Sequence, residues 1–332
     1  MPALNLTISR VPVRIETDSD QLRSIFADYF RHHLIDDQER RNDEGRIAPI
    51  LVRLRAVDQL PDPEGRLLSA AGGVELRELS RPDVYEILTP SARFRIRPGQ
   101  GEIDGLIAPP ALESPHLLTN TWALFPLLLA LRARGRYQLH AAAVISPEDE
   151  LWLICGPQRS GKTSLATALG ISGWRPIADD TILLSRDGTG YSVDALRKRF
   201  HVSNDILERW GLNAEASVIP GGRRGFDGLT GFSTLEDAAR TFDRVTGILM
   251  TRIGAAPASE LRPLSKGECL TGLAAESAFF QLLGDRIGEH WQLLATLARD
   301  AGTWRLTAGR DILDDPCRAG RLISGLQAVD RT

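Results

Sequence analysis

The amino-acid sequence predicts an α/β protein with two domains, a β-rich α+β domain over residues 1–112 and a second domain over residues 113–332. Three observations lead to this fold class. Alternating apolar and polar residues, typical of half-buried strands, recur through the first third of the chain. Near the middle, a loop bounded by two glycines lies between an apolar run and a helical pattern. The length of 332 residues also exceeds that of most single domains.

The N-terminal domain is predicted to be mostly strand with one early helix. Five stretches in which apolar and polar residues alternate are predicted strands: 4–9, 11–15, 84–88, 92–97 and 102–107. A helix over residues 19–30 is expected because Ser19 is a typical N-cap and Leu22, Phe26 and Phe30 recur at helical spacing. The charged segment 36–44 is predicted to be a loop.

The second domain is predicted to start with a helix over residues 114–134 and then to mix strands and helices. Short apolar runs predict strands at 137–144, 151–155, 174–179, 181–185, 190–193, 246–251 and 304–306. Helical spacing predicts helices from Lys162 to about residue 170, over 265–283 and 286–299, and at the C-terminal end.

Residues 156–163 read Gly-Pro-Gln-Arg-Ser-Gly-Lys-Thr, which fits the Walker A phosphate-binding pattern G-x-x-x-x-G-K-[ST]. The pattern has the context it needs, a strand before it and a helix after it. Loop amides and the helix N-terminus are expected to bind the phosphates of ATP, Lys162 to reach the terminal phosphates, and the Thr163 hydroxyl to bind Mg²⁺. The predicted nucleotide-binding residues are Gly156, Pro157, Gln158, Arg159, Ser160, Gly161, Lys162, Thr163 and Ser164.

Lysine usage supports this interpretation. The chain has 40 lysines and arginines, of which only Lys162, Lys198 and Lys266 are lysines, so 40 − 3 = 37 are arginines. A chain that otherwise prefers arginine therefore has lysine where the phosphate loop requires a compact ammonium. A glycine-rich turn that binds no ligand is the simpler alternative.

Two adjacent acids, Asp179 and Asp180, follow the next predicted strand, 17 and 18 residues after Lys162. Ligands of parallel sheets bind at the carboxyl ends of the strands, so both carboxylates are expected near the phosphates. One would accept the proton of an attacking hydroxyl and the other would hold Mg²⁺. In the alternative interpretation Asp179 only binds Mg²⁺ and Asp180 caps a turn. His140, on the strand before the loop strand, would by spacing alone be a structural histidine.

Three segments together resemble the HPr kinase/phosphorylase superfamily: Leu139-His140-Ala-Ala, the loop 156–163, and Gly173-Trp-Arg-Pro-Ile-Ala-Asp179-Asp180. The chain looks closest to the smaller HPr-kinase-related proteins, which include kinases of lasso-peptide precursors. The resemblance implies an HPr-kinase-like core in which Lys162 and Thr163 hold ATP and Mg²⁺. It also implies that Asp179 is the base towards an acceptor serine, that Asp180 belongs to the metal site, and that His140 lines the phosphate site.

The chain departs from that superfamily in one respect. The Glu-Ile-Arg-Gly-type stretch of true HPr kinases, which supplies an acid and an arginine, has no counterpart here. The basic clusters 197–199 and 223–225 are candidate replacements for the arginine, and Asp194 and Asp205 for the acid, although each also fits a solvated surface. HPr as substrate, and a reverse phosphorylase activity, are therefore not implied.

Bulk composition excludes several other classes of function. A net charge of −3 gives no indication of a nucleic-acid partner. Three widely separated cysteines lack zinc-site spacing. The N-terminus does not resemble a signal peptide, and the most apolar run, 122–131, is too short to span a bilayer, so a cytoplasmic location without a membrane partner is expected.

The sequence thus predicts an ATP- and Mg²⁺-dependent kinase that phosphorylates a serine of a protein or peptide. The N-terminal domain would bind the acceptor or form a homo-oligomer. Two alternatives stay open, a nucleotide-binding regulatory module without catalysis and a kinase of a small-molecule hydroxyl. A distant relationship of this chain to ATP-dependent phosphoenolpyruvate carboxykinase is not supported, because the sequence shows no second set of metal ligands.

Overall fold

The computed structural model shows a mixed α/β protein with several sheets. It describes residues 3–36, 47–71, 73–81, 83–188, 190–196, 200–212, 216–219, 223–226, 241–277 and 286–329. The chain divides into two compact units, the first comprising Met1–Tyr137 with Phe279–Ile287 and the second Gln138–Ala278 with Gly288–Thr332. Asp36 is described, but the rest of the predicted loop 36–44 lies outside the described residues. The basic cluster 197–199 lies outside them as well.

The first unit contains an eight-stranded sheet among its described residues. Its strands are β1 (Ala3–Ile8), β2 (Val11–Thr17), β3 (Ile50–Ala56), β4 (Arg66–Ala71), β5 (Val74–Glu78), β6 (Tyr85–Leu88), β7 (Ala92–Arg97) and β8 (Glu102–Ile107). Their order is β1-β2-β3-β8-β7-β6-β5-β4. The pairs β2/β3 and β3/β8 are parallel, and the other pairs are antiparallel.

Alternation of residue type explains the two faces of this sheet. In β2, Val11, Val13 and Ile15 are buried, whereas Arg14 and Glu16 at alternate positions are half-buried and form an ion pair. The same alternation gives ion pairs further across the sheet, such as that of Arg53 with Asp104. One face therefore contributes to the core and the other carries paired charges.

Four α-helices among the described residues belong to the first unit. They are α1 (Asp20–Tyr29), α2 (Pro109–Leu112), α3 (Pro115–Leu117) and α4 (Leu124–Ala133). The predicted N-cap of α1 is confirmed, because Ser19 Oγ accepts the amide of Leu22 at 3.2 Å.

The predicted single helix over residues 114–134 is wrong in one detail, because the helical region is interrupted. A π-helical turn, Leu118–Trp122, separates α3 from α4. The apolar helix α4 packs against β7 and β8 and so belongs to the first unit. The structure accordingly divides the chain at Tyr137/Gln138, whereas the sequence placed a domain boundary between residues 112 and 113.

The second unit holds the remaining strands and helices, except that Tyr137 and Ile287 fall within the first unit. The strands are β9 (Tyr137–Leu139), β10 (Ala141–Ile145), β11 (Leu151–Cys155), β12 (Arg175–Ala178), β13 (Ile182–Asp187), β14 (Gly190–Ala195), β15 (Phe200–Ser203), β16 (Ala216–Ile219), β17 (Arg223–Phe226), β18 (Thr241–Phe242), β19 (Val245–Ile253), β20 (Glu260–Pro263) and β21 (Gly302–Ala308). The helices are α5 (Lys162–Ile171), α6 (Asn204–Arg209), α7 (Lys266–Ala275), α8 (Ile287–Asp300), α9 (Arg310–Asp314) and α10 (Cys317–Val329).

A six-stranded sheet with the order β12-β10-β11-β19-β21-β20 organises this unit. β11, β19 and β21 are parallel neighbours, whereas β10 runs antiparallel to both β11 and β12. β11 and β12 consequently run in the same direction with β10 between them. Smaller sheets, β18-β14-β13-β9 and β15-β17-β16, include the predicted hairpin, which β13 and β14 form.

Three tryptophan rings contact one another in the core beside α5. The rings of Trp152 and Trp304 stack with centroids 5.4 Å apart, and Trp174 meets Trp152 edge-on at 5.8 Å. Glycine at position 247 leaves room for this cluster, because a Cβ there would lie 2.2 Å from the Trp152 ring. Van der Waals packing of these large aromatic rings thus holds β11 against β19 and β21, and the loop follows directly from β11.

The predicted strand 137–144 is also interrupted, and the interruption falls at His140. β9 ends at Leu139 and β10 begins at Ala141, and the two strands belong to different sheets. The His140 amide is therefore released from the strand ladder and donates to the Glu276 carbonyl at 2.9 Å.

Among the described helices, none has an apolar stretch that could traverse a bilayer.

Candidate functional site

Of the residues that fit the Walker A pattern, 156–161 form a loop between β11 and α5, and Lys162 and Thr163 begin α5, so the predicted order of strand, loop and helix is observed. Gly156 follows β11 with φ 146°, and Gly161 is the N-cap of α5 with φ 92°. Pro157, Gln158 and Arg159 are exposed at the tip of this loop. Arg159 also has a positive φ of 66°, which is unusual for a residue other than glycine and is typical of strained functional loops.

Only glycine fits at position 156. A Cβ there would lie 2.5 Å from the Thr251 carbonyl oxygen and 2.7 Å from Ser160 Oγ. β19 therefore approaches the start of the loop too closely for any side chain at residue 156.

Unpaired donors converge at the N-terminus of α5. The first intrahelical bond runs from the Leu165 amide to the Gly161 carbonyl, so the preceding amides in the first turn have no partner within the helix. The buried hydroxyls of Ser160 and Thr251 form no hydrogen bond with any described residue. Free amides, the positive end of the helix dipole and a buried hydroxyl form an environment suited to phosphate oxygens.

The Lys162 side chain folds back against the loop. Its Nζ donates to the Gly156 carbonyl at 2.6 Å and to the Pro157 carbonyl at 3.2 Å, and lies 2.8 Å from His140 Nε2. The residue is 6% exposed. Burial lowers the pKa of the Lys162 ammonium below its usual value, and the Glu276 carboxylate is the strongest of several charges that oppose this shift.

Asp179 and Asp180 directly follow β12 and have different surroundings. Asp179 is 1% exposed, and its Oδ2 accepts the His201 amide at 2.9 Å and lies 3.4 Å from Thr163 Oγ1. The Asp180 side chain is 40% exposed and contacts His140, with Oδ1 3.2 Å from Nδ1. Asp179 thus lies beside Thr163, and Asp180 reaches Lys162 through His140.

His140 connects Asp180 with Lys162. A protonated lysine has donors only, so Nε2 of His140 must accept the hydrogen bond from Nζ. The proton of a neutral imidazole then lies on Nδ1, which faces Asp180. His140 is thus more than the isolated structural histidine that spacing alone indicates.

Glu276 is a site residue that the sequence analysis missed. It follows α7, its carbonyl accepts the His140 amide, and its carboxylate interacts electrostatically with Lys162. Burial raises the pKa of Glu276, and the nearby Lys162 ammonium opposes the shift. No local motif marks Glu276, because only the tertiary fold brings it to the loop.

Oxygen donors at the site suit Mg²⁺. Thr163 Oγ1 and the carboxylates of Asp179 and Asp180 are the hard ligands that this ion prefers, and Mg²⁺ commonly takes only one or two protein ligands besides phosphates and water. Among the described residues, no group of three or more histidine, cysteine or acidic side chains is arranged to hold a metal by itself.

Cys155, at the end of β11, is buried as predicted. Burial strongly raises the pKa of its thiol, so it is not a nucleophile at neutral pH.

The described candidate replacements for the acid and the arginine of the Glu-Ile-Arg-Gly-type stretch lie in different strands and in a helix. Asp194 is buried in β14, and Asp205 is exposed in the first turn of α6. The backbone of residues 223–225 lies in β17, but their side chains, like all of 197–199, are outside the described structure.

Comparison with known proteins places the chain in no family. No family model matches it, and no curated protein matches it either.

Proposed function

We propose that this protein is an ATP- and Mg²⁺-dependent kinase that transfers the γ-phosphoryl group to a serine hydroxyl of a protein or peptide. The observation that carries the proposal is the convergence of two carboxylates from the end of β12 on the loop that ends in Gly161-Lys162-Thr163. Binding of nucleotide phosphates alone does not need a second acid, whereas phosphoryl transfer to a hydroxyl uses one carboxylate as base and another for the metal.

ATP binding would reorganise the contacts of Lys162. The ammonium would exchange the carbonyls of Gly156 and Pro157 for oxygens of the terminal phosphates. Loop amides and the Ser160 hydroxyl would donate to the phosphate chain. Mg²⁺, when bound with ATP, neutralises charge on the β- and γ-phosphates, and Thr163 and Asp180 are its proposed ligands.

In this proposal Asp179 accepts the proton of the acceptor serine and His140 orients Asp180 and Lys162. The surroundings of the two acids favour a second division of roles, in which Asp179 holds Mg²⁺ beside Thr163 and the more exposed Asp180 is the base. Substituting each acid by its amide distinguishes the two divisions, because asparagine keeps the shape but can neither accept the proton nor carry the charge.

Transfer is tested by intact-mass spectrometry of HPr and of a panel of serine-containing peptides after incubation with the protein, ATP and Mg²⁺. Asp179→Asn should keep ATP affinity and lose transfer by roughly 10²–10⁴-fold, the usual contribution of a general base. Asp180→Asn should instead raise the Mg²⁺ concentration needed for half-maximal rate. Asp243→Asn, at an exposed aspartate in the turn after β18, is the matched control.

The possible results distinguish the two divisions of roles from each other and the kinase from its alternatives. If Asp180→Asn loses transfer at saturating Mg²⁺ while Asp179→Asn raises the Mg²⁺ requirement, the second division is correct. ATP binding without transfer to any acceptor would favour the regulatory module or a small-molecule acceptor. Failure to bind ATP would contradict the proposal as a whole.

A further inference from the structure

An exposed apolar side chain borders the phosphate loop on the side opposite the acids. Ile253, the last residue of β19, is 67% exposed, which is the largest exposure among the large hydrophobic residues that the structure describes. It lies against the loop, because a Cβ at Gly161 would be 3.4 Å from Ile253 Cγ1. The exposed residues 255–258, Ala-Ala-Pro-Ala, continue this apolar surface.

This surface is held rigidly. The Gly254 amide donates to the Ala308 carbonyl at 2.8 Å, and the Asp311 amide donates to the Pro257 carbonyl at 2.9 Å. The Asp311 carboxylate accepts the Ser259 amide at 2.9 Å. Bonds from the start of α9 and the end of β21 therefore fix the segment 254–259, which is pre-organised for binding.

The strand order of the six-stranded sheet indicates that the nucleoside, and not the phosphates, would lie beside Ile253. The loop follows β11, the two acids follow β12 on one side, and Ile253 ends β19 on the other side. In a nucleotide bound in extended form with its terminal phosphate towards Asp179 and Asp180, the nucleoside lies at the opposite end, across the loop. That direction leads to Ile253, whose branched apolar side chain can pack against the flat face of a base.

We infer that Ile253 and the segment 254–258 form the platform for the nucleoside of the bound nucleotide. The inference rests on the proposed function and assigns a subsite that the phosphate-loop motif does not specify. It distinguishes two kinds of contact, those with the phosphates, made by the loop, and those with the base, made by Ile253.

Calorimetric titration with two probes separates these contacts. Mg²⁺-ATP carries both a base and phosphates, whereas Mg²⁺-tripolyphosphate carries phosphates alone. Ile253→Ala should weaken ATP binding by roughly 5–20-fold, the range expected when most of a large apolar side chain is removed from a contact. Tripolyphosphate binding should be unchanged. Because Ile253 is mostly exposed, the variant should melt like the wild type.

Leu67→Ala, at an exposed leucine of the first unit, is the matched control and should change neither affinity. Equal ATP affinities of wild type and Ile253→Ala would overturn the inference and leave the proposed function intact, as would an equal loss for both probes. A wild-type protein that binds neither probe would overturn the proposed function and, with it, this inference.

Discussion

Gly156→Ala tests whether the loop geometry is as described, because glycine at this position satisfies two requirements at once. The backbone has φ 146°, which L-residues rarely adopt, and an added Cβ would lie 2.5 Å from the Thr251 carbonyl oxygen. The obstructing atom belongs to the backbone of β19 and cannot rotate away. Alanine must therefore shift either the loop or the strand.

The expected cost has two parts. An unfavourable backbone conformation costs about 1–3 kcal/mol. Overpacking against a fixed neighbour costs about another 1–3 kcal/mol. Gly156→Ala should thus lower the free energy of unfolding by about 2–6 kcal/mol, the sum of these ranges. Gly173→Ala isolates the first part, because Gly173 has φ 88° but no atom within 4 Å of an added Cβ.

Urea denaturation followed by tryptophan fluorescence measures both variants, since five of the six tryptophans belong to the second unit. Calorimetry with Mg²⁺-ATP provides a functional measurement. Gly156→Ala should be the less stable variant and should also bind ATP more weakly, because a displaced loop no longer directs its amides towards the phosphates. Gly173→Ala should keep its affinity. Equal stabilities together with wild-type ATP binding by Gly156→Ala would refute the described approach of β19 to the loop.

Three further predictions concern charge and packing. Glu276→Gln removes the carboxylate that most strongly opposes the lowered pKa of Lys162, so the binding-competent ammonium should be lost at lower pH. ATP affinity should then decline at lower pH than in the wild type, and a pH profile that matches that of the exposed control Glu260→Gln would contradict this electrostatic role. Gly247→Ala should reduce stability by about 1–3 kcal/mol, because its Cβ would overlap Trp152. By contrast, Gly267→Ala, in the first turn of α7 with open space around it, should stabilise by up to about 1 kcal/mol in the same urea assay.

Local features of the site were predictable from sequence, whereas long-range ones were not. The loop, its strand and its helix are consecutive, so the residue types in one short run determine them. The position of β10 between β11 and β12 depends on pairing between distant segments, which periodicity does not encode. The positions of Glu276 beside Lys162 and of Ile253 beside Gly161 also depend on packing between distant segments, so the sequence does not predict them.

Strand β3 is predictable from the alternation of its residues, although it is not among the strands predicted above. Ile50, Val52 and Leu54 alternate with polar or half-exposed residues in β3, a strand that was not predicted. Assignment of α4 to the first unit had no such signal. Nearly all of its residues are apolar, so the sequence does not show which sheet it covers.

The different surroundings of Asp179 and Asp180 follow from their adjacency at a strand end. Both residues lie in the bend after β12, where the two neighbouring side chains meet different partners. Asp179 points to Thr163 and the His201 amide, and Asp180 points to His140. Because His140 also contacts Lys162, a change in the charge of Asp180 acts on the Lys162 ammonium through the imidazole. In the proposed kinase the two acids would divide proton transfer and metal binding between them, and the two amide substitutions measure which acid has which role.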